Sequence, residues 1–307
     1  MTPARTSAAY RRRAGFALLP VLAIVAGGTA LGVVLVGLSR DAAGASENRV
    51  ALRRTAWLAE GCAQSVIALE SSLLAVPEPG ASASWRALDS ALADPTHATS
   101  ECGCQLIALG TALSINQASS TQVLALLSGS GIPSAQAESL TAALVDWRDT
   151  DQVVSKNGAE AGWYHSQGRA TPRNGPFGAL SELALVRGFG DPRIPWHLLT
   201  TEGGRLYLAR APSEVIAASV GLEAGAVEAL RAQSTGPLRT EAVRPLIESG
   251  RTLARGVPVA LDATDDPDGW VITCAASSGV PEVTSTIELL IARSGPRVAL
   301  VRRRSWP

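Results

Sequence analysis

The residues best suited to chemistry crowd into one stretch, 146–174. Asp146, Asp149 and Asp151 fall within residues 146–151, and Glu160 follows the segment Lys156-Asn157-Gly158-Ala159. Carboxylates at this spacing, on a loop that a glycine can tighten, can converge on a hard cation such as Ca²⁺, which takes oxygen ligands. The fixed spacing and terminal bidentate glutamate of an EF-hand are absent. A solvated acidic loop has the same composition, so the residues alone leave both readings open. A second acidic run, Asp262, Asp265, Asp266 and Asp268, reads most simply as a turn entering a strand at Trp270.

Other chemistries find little support. His97, His165 and His197 are far apart, and no Cys/His spacing resembles a zinc site. Neither a G-x-S-x-G elbow nor a Walker loop occurs. Asp149 and Asp151 form a pair of acids on paper, but no nucleophile or base is identified beside them, so an enzyme is not expected. The 307 residues carry 27 basic and 27 acidic side chains, and Lys156 is the only lysine. Zero net charge gives no general electrostatic grip on nucleic acid. Leu183-Ala-Leu-Val-Arg-Gly-Phe-Gly-Asp resembles the turn of a helix-hairpin-helix unit, with Ser219-Val-Gly-Leu as a weaker second copy. Such turns hold DNA phosphates in some proteins and serve as plain scaffold in others; the charge balance favours scaffold.

The elements that must position these residues begin with an apolar one. Arg5, Arg11, Arg12 and Arg13 precede an uncharged run, of which residues 16–38 are long enough at about 1.5 Å per residue to cross roughly 30 Å of hydrocarbon. Basic residues before the run predict a single-pass topology with the N-terminus cytoplasmic and the bulk of the chain outside. A secretory signal peptide is the rival reading, but its apolar region is normally shorter. Gly27, Gly28, Gly32 and Gly37 suit a membrane helix packed closely on a neighbour. Residues 40–74 continue as helix, 76–84 form a loop and 85–92 a short helix. Residues 102–115 alternate around Gly103 and Gly110 and predict a β-hairpin. From 119 to about 255 the pattern is helical: a helix capped by Ser120 or Thr121, a second over 134–147, then short helices at 179–186, 212–220 and 223–233. The runs 270–275, 283–291 and 297–304 are β-rich. The order predicts an α+β fold with a helical insertion.

The leader adds a sharper reading. Arg11-Arg12-Arg13-Ala14-Gly15-Phe16-Ala17-Leu18-Leu19 resembles a type IV prepilin leader, which a prepilin peptidase cuts after the glycine, here between Gly15 and Phe16. Position five of the mature chain is then Pro20, where most pilins carry glutamate. Ser114-Ile-Asn-Gln-Ala-Ser, then Leu144-Val-Asp-Trp-Arg-Asp-Thr-Asp, Gly158-Ala-Glu, Tyr164, Arg173-Asn-Gly-Pro-Phe and Glu182-Leu-Ala-Leu-Val-Arg-Gly follow in order. Together they resemble the large minor pseudopilin of the type II secretion system, its K subunit, which tolerates the missing glutamate. The resemblance covers most of the chain.

That resemblance implies a pilin-like fold: a long N-terminal helix packed on an antiparallel sheet, with a large α-helical domain inserted. The implied division is a leader (1–15), a transmembrane and assembly helix (16–38), the first part of the pilin-like domain (39–118), the inserted α-helical domain (119–255) and its C-terminal β part (256–307). It implies a non-enzymatic protein of the inner membrane and periplasm, at the tip of the pseudopilus, with the I and J minor pseudopilins as partners. There it would help initiate assembly and export of folded proteins across the outer membrane. A structural Ca²⁺ is implied in the α-domain, with Asp149, Asp151, Glu160 and Asn174 as candidate ligands. A minor pilin of a type IV pilus and a membrane-anchored helix-hairpin-helix DNA-uptake receptor are the alternatives. A periplasmic body permits disulfides among Cys62, Cys102, Cys104 and Cys274. Cys102 and Cys104 point the same way on an extended strand. Each is therefore expected to pair elsewhere, with Cys62 and Cys274 within reach if helix and sheet pack as in a pilin.

Overall fold

The computed structural model describes residues 18–74, 102–248, 262–279, 282–294 and 297–306. One helix, α1 (Leu18–Leu74, 57 residues), runs for about 86 Å at 1.5 Å per residue. Its first half is apolar, with a mean hydropathy of 2.4 over the best window, and none of that window is buried among the described residues. Further along, Thr55, Ala59, Ala63 and Val66 are buried. This is helical spacing, and it lays one narrow, small-residue stripe on the sheet. The Thr55 and Ser285 hydroxyls meet across that interface at 2.6 Å. Trp57, on the opposite face, is 76% exposed.

The sheet is an antiparallel meander in the order β1 (Cys102–Ala108), β6 (Gly269–Ser278), β7 (Val283–Ser294) and β8 (Arg297–Trp306). Alternation sets its inner face: Trp270, Ile272, Cys274 and Ala276 of β6, with Ile287, Leu289 and Ile291 of β7, pack on α1. The expected fold class and the three late strands are observed. Cys62 is disulfide-bonded to Cys102, and Cys104 to Cys274.

Everything between β1 and β6 is inserted. Its elements are β2 (Leu113–Ser114), α2 (Ser120–Gly129), α3 (Ser134–Arg148), α4 (Ala161–Ser166), β3 (Leu199–Thr200), β4 (Leu206–Tyr207), α5 (Ser213–Val220), α6 (Ala224–Gln233), α7 (Thr240–Glu248) and β5 (Ala263–Thr264). They share a second core that includes Leu126, Leu144, Trp147, Leu183, Phe189 and Ile216. Two bidentate clasps tie this body to the sheet: Arg205 on Asp268, and Arg302 of β8 on Glu202.

Three expectations are corrected. Residues 102–115 are not a hairpin, because β1 pairs with β6 and β2 pairs in parallel with β3. Gly110, at φ +80°, turns the chain away against the backbone of Arg205, where a Cβ would collide. The cap of α2 is Ser119, one residue earlier than expected, in a reciprocal capping box with Gln122. Residues 180–185 form a 3₁₀ helix. The core of the insertion also takes in Leu113, Ile115 and Ala118. The loop 76–84 and the helix 85–92 lie outside the described residues, as do Gly15 and Phe16.

Candidate metal centre

The acidic stretch is positioned from the end of α3. Arg148 donates to the Ala118 carbonyl at 2.6 Å and to that of Ile115, anchoring the helix end on β2 and its following turn. Asp149 then leaves the helix in extended conformation, its N–H still bonded to the Val145 carbonyl at 2.9 Å. Asp151 accepts the Val153 N–H at 2.8 Å, a local turn that folds its carboxylate back. The chain returns through buried Ala159 to Glu160, which opens α4. Tyr164 of α4 packs edge-on against Trp147 of α3 at 5.1 Å, so the two ends of the acidic loop share one aromatic anchor.

This arrangement brings Asp149, Asp151 and Glu160 together, with one carboxylate oxygen from each within 4.8 Å of the others. Two oxygens bound to one calcium at about 2.4 Å can be no more than about 4.8 Å apart, so the spacing admits the ion. Glu160 is 3% exposed, and neither of its carboxylate oxygens has a hydrogen-bond partner; Asp149 Oδ1 is likewise buried and unpartnered. Buried acceptors without donors are costly, and adding mutual repulsion makes the cost larger. Burial, with the charges of Asp151 and Asp146, pushes the Asp149 carboxyl above its ordinary range. Burial and the Asp146 charge do the same to Glu160. A hard divalent cation would relieve both penalties, and the carbonyl end of α3 adds favourable potential for it. An all-oxygen donor set suits calcium over zinc.

Asn174 takes a supporting place. It adopts φ +49°, its amide Nδ2 donates to the Asp151 carbonyl, and its N–H bonds the Trp147 carbonyl at 3.1 Å. It therefore holds the loop bearing Asp151, while the close carboxylate cluster consists of the three acids. Around them, Glu182 collects Trp147 Nε1 (3.1 Å), Arg173 Nε (2.8 Å) and the Gly178 N–H (2.9 Å). Asn116 accepts the Phe177 N–H at 2.7 Å and donates to the carbonyls of Phe177 and Thr201. Sequence reading gave Asn116 and Glu182 no structural task. Both are polar residues in otherwise apolar neighbourhoods, and that was the available signal.

The remaining motifs resolve into structure. Asp265 caps α7 through the Thr240 N–H and hydroxyl, and Asp268 holds Arg205, so the second acidic run shapes the turn before β6. Of the two hairpin-like turns, the second lies between true α-helices, α5 and α6. The first follows a 3₁₀ helix, and its Phe189 and Asp191 N–H groups bond within the turn itself. His165 and His197 are exposed and stand outside the acidic cluster, and His97 lies outside the described residues.

Residues 104–194, which span β1 to just beyond this cluster, match the family model described as type II secretion system (T2SS), protein K. Over these residues the chain is similar to type II secretion protein K. Protein K is a structural pseudopilin rather than an enzyme. The fold agrees. A chain from the crystal structure of the GspK–GspI–GspJ complex of the enterotoxigenic Escherichia coli type 2 secretion system superposes with a TM-score of 0.59. Identity is 16%, over 85% of this chain and 99% of that one. No curated protein matches the chain. The protein K match therefore contains all three clustered acids, Asn174 and the aromatic anchor.

Proposed function

We propose that this protein is a minor component of a type II secretion pseudopilus, built on a single membrane-crossing helix and placed at the filament tip. The observation that carries this is the division of α1. Its apolar first half stands clear of the described body, while its second half is packed on a four-stranded sheet interrupted by a large helical insertion. The free half needs lipid or other helices around it, and its glycines permit close helix contact. The inserted body is too bulky to repeat along a tightly wound filament, which favours an end position.

In this reading a prepilin peptidase cuts between Gly15 and Phe16, and the new N-terminus is methylated. The helix first lodges in the inner membrane with the body in the periplasm. The I and J minor pseudopilins are the partners, as in the complex of the structural relative. Their joint assembly initiates the pseudopilus that exports folded proteins. Calcium is held structurally by Asp149, Asp151 and Glu160, with Asn174 supporting the loop. The test is co-expression with the I and J pseudopilins of the same system, followed by purification from the membrane and N-terminal sequencing. A stoichiometric complex whose chain begins at Phe16 supports the reading; a chain beginning beyond Ser39, with no such complex, overturns it.

A further inference from the structure

Asp146 is the fourth carboxylate of the acidic stretch, and the one most deeply buried, at 0% exposure. It is not among the three whose oxygens converge. Instead both of its oxygens face the Ser155 N–H, at 3.3 and 3.2 Å. Gly158 crosses directly over it, and a Cβ there would overlap the carboxylate. Other donors fix the same loop from outside: the Ser139 hydroxyl bonds the Asn157 carbonyl at 3.1 Å, and Arg187 bonds the Gly158 carbonyl at 3.0 Å. The loop joining the outer acids is thus wrapped around the Asp146 carboxylate.

An amide would serve Ser155 equally well, because asparagine also presents an acceptor oxygen. A carboxylate here is costly in the metal-free protein. It adds a fourth negative charge behind Asp149 and Glu160, and the donor facing it among the described residues is the neutral Ser155 N–H. Arg187, which reaches this loop from outside, is engaged by the Gly158 carbonyl and by the face of Trp163. The cost becomes a gain only when positive charge occupies the cluster.

We propose that Asp146 is a positioning residue of the metal centre, one that shapes the ligand loop through Ser155 and Gly158 and strengthens cation binding by its charge without coordinating. This rests on the calcium reading above. A merely structural aspartate and a charge-supplying one differ in sign: removing the charge should relieve the metal-free protein and weaken the metal-loaded one.

The experiment uses the full chain in detergent micelles, with calcium alone as the probe. Calcium affinity is measured by calorimetry, and melting by near-UV circular dichroism in calcium and in chelator. For Asp146→Asn the expected result is a melting temperature in chelator equal to or above wild type, with calcium bound about tenfold or more weakly, the range typical of outer-shell changes. Asp146→Ala, which also removes the Ser155 acceptor, should lose both affinity and metal-free stability. If Asp146→Asn lowers melting equally with and without calcium and leaves affinity unchanged, the residue is only structural and the proposal is overturned. If wild type itself neither binds calcium nor melts higher in it, the calcium reading falls and takes this proposal with it. That outcome is distinguishable because it appears before any substitution is made.

Discussion

Cys104 of β1 stands directly across from Cys274 of β6, their Cα atoms 4.1 Å apart, and the two are disulfide-bonded. Two residues earlier, on the same side of β1, Cys102 is bonded to Cys62 of α1. Strand β1 is therefore held covalently to the helix in front of it and to the strand beside it, at the point where the large insertion departs. The Cys104–Cys274 bond spans 170 residues of sequence and closes the entire helical body into a loop. Long closed loops restrict the unfolded chain most, and loss of such a bond costs about 2–5 kcal/mol. The double variant Cys104→Ala/Cys274→Ala should lose about that much in denaturant unfolding. Peptide mapping of oxidised wild type should find both bonds and no free thiol.

The same bonds mark how far the sequence could be read. The spacing of Cys102 and Cys104 already sent the two to different partners, because neighbours two apart on a strand share a face. Which of Cys62 and Cys274 each would meet was not legible, since that depends on the register of β1 against β6 and on the rotation of α1. Periodicity gave α1, α3 and the three C-terminal strands, each long enough to repeat its pattern. It misread residues 102–115, where two short apolar runs around Gly110 look like a hairpin. The strands actually pair with segments more than 80 residues away, and nothing local encodes that choice. At the acidic cluster charge and a nearby glycine marked four carboxylates, Asp146, Asp149, Asp151 and Glu160, and only the resemblance to the secretion family separated the last three from Asp146. The separate role of Asp146 was not legible, because only its 0% exposure and its bond to Ser155 distinguish it from its neighbours.

Acidification should abolish calcium stabilisation. The carboxyls of Asp149 and Glu160 are both raised above the ordinary range when no metal is present. Between the ordinary carboxylate range and those raised values the folded protein binds more protons than the unfolded one. Metal-free stability from these two groups therefore falls as pH rises through that window. Calcium needs them ionised, so it must displace their protons, and its affinity falls as pH drops through the raised values. The gap between melting temperatures in calcium and in chelator should be full at neutral pH and close in acid. A gap that persists unchanged below the ordinary carboxylate range would place the stabilising ion elsewhere.

The clasp between the two bodies should respond to acid in its own way. Burial alone would raise the Glu202 carboxyl, but hydrogen bonds from Arg302 and Thr201 outweigh it and hold the group below its ordinary range. Stability from this group is present above its unfolded pKa and is lost as pH falls through the depressed folded value. Arg302 reaches Glu202 at 2.6 and 2.9 Å and also contacts Glu288 at 3.1 Å, and Glu202 is largely shielded from water. Removing the guanidinium takes the bidentate partner from Glu202, leaving it the Thr201 hydroxyl, and leaves Glu288 with Arg304 at 3.9 Å, so Arg302→Ala should cost about 1–3 kcal/mol at neutral pH. Below the folded pKa of Glu202 the penalty should shrink. Denaturant titrations of both proteins at neutral and acid pH give this directly; an equal penalty at both would assign the loss to packing of the arginine stem.

Trp57 should matter for assembly and not for folding. It projects from α1 on the face away from the sheet and is 76% exposed, with Val50 two helical turns earlier at 65%. Large apolar side chains left in water on a rigid helix cost little stability when removed, and the described residues cover little of either one. Tryptophan is also the side chain most often found to dominate protein–protein contacts once a partner covers it. The same helix continues into the apolar segment that must meet lipid or other helices, so a partner lying along that segment would be carried onto Trp57. Trp57→Ala should therefore leave the melting temperature of the full chain within about 2 °C of wild type, as expected for a surface change within about 0.5 kcal/mol. Association with the I and J pseudopilins should weaken about tenfold or more, which corresponds to roughly 1.4 kcal/mol. Quantitative co-purification at limiting partner concentration reads the difference. Undiminished complex would move the contact from α1 to the helical body.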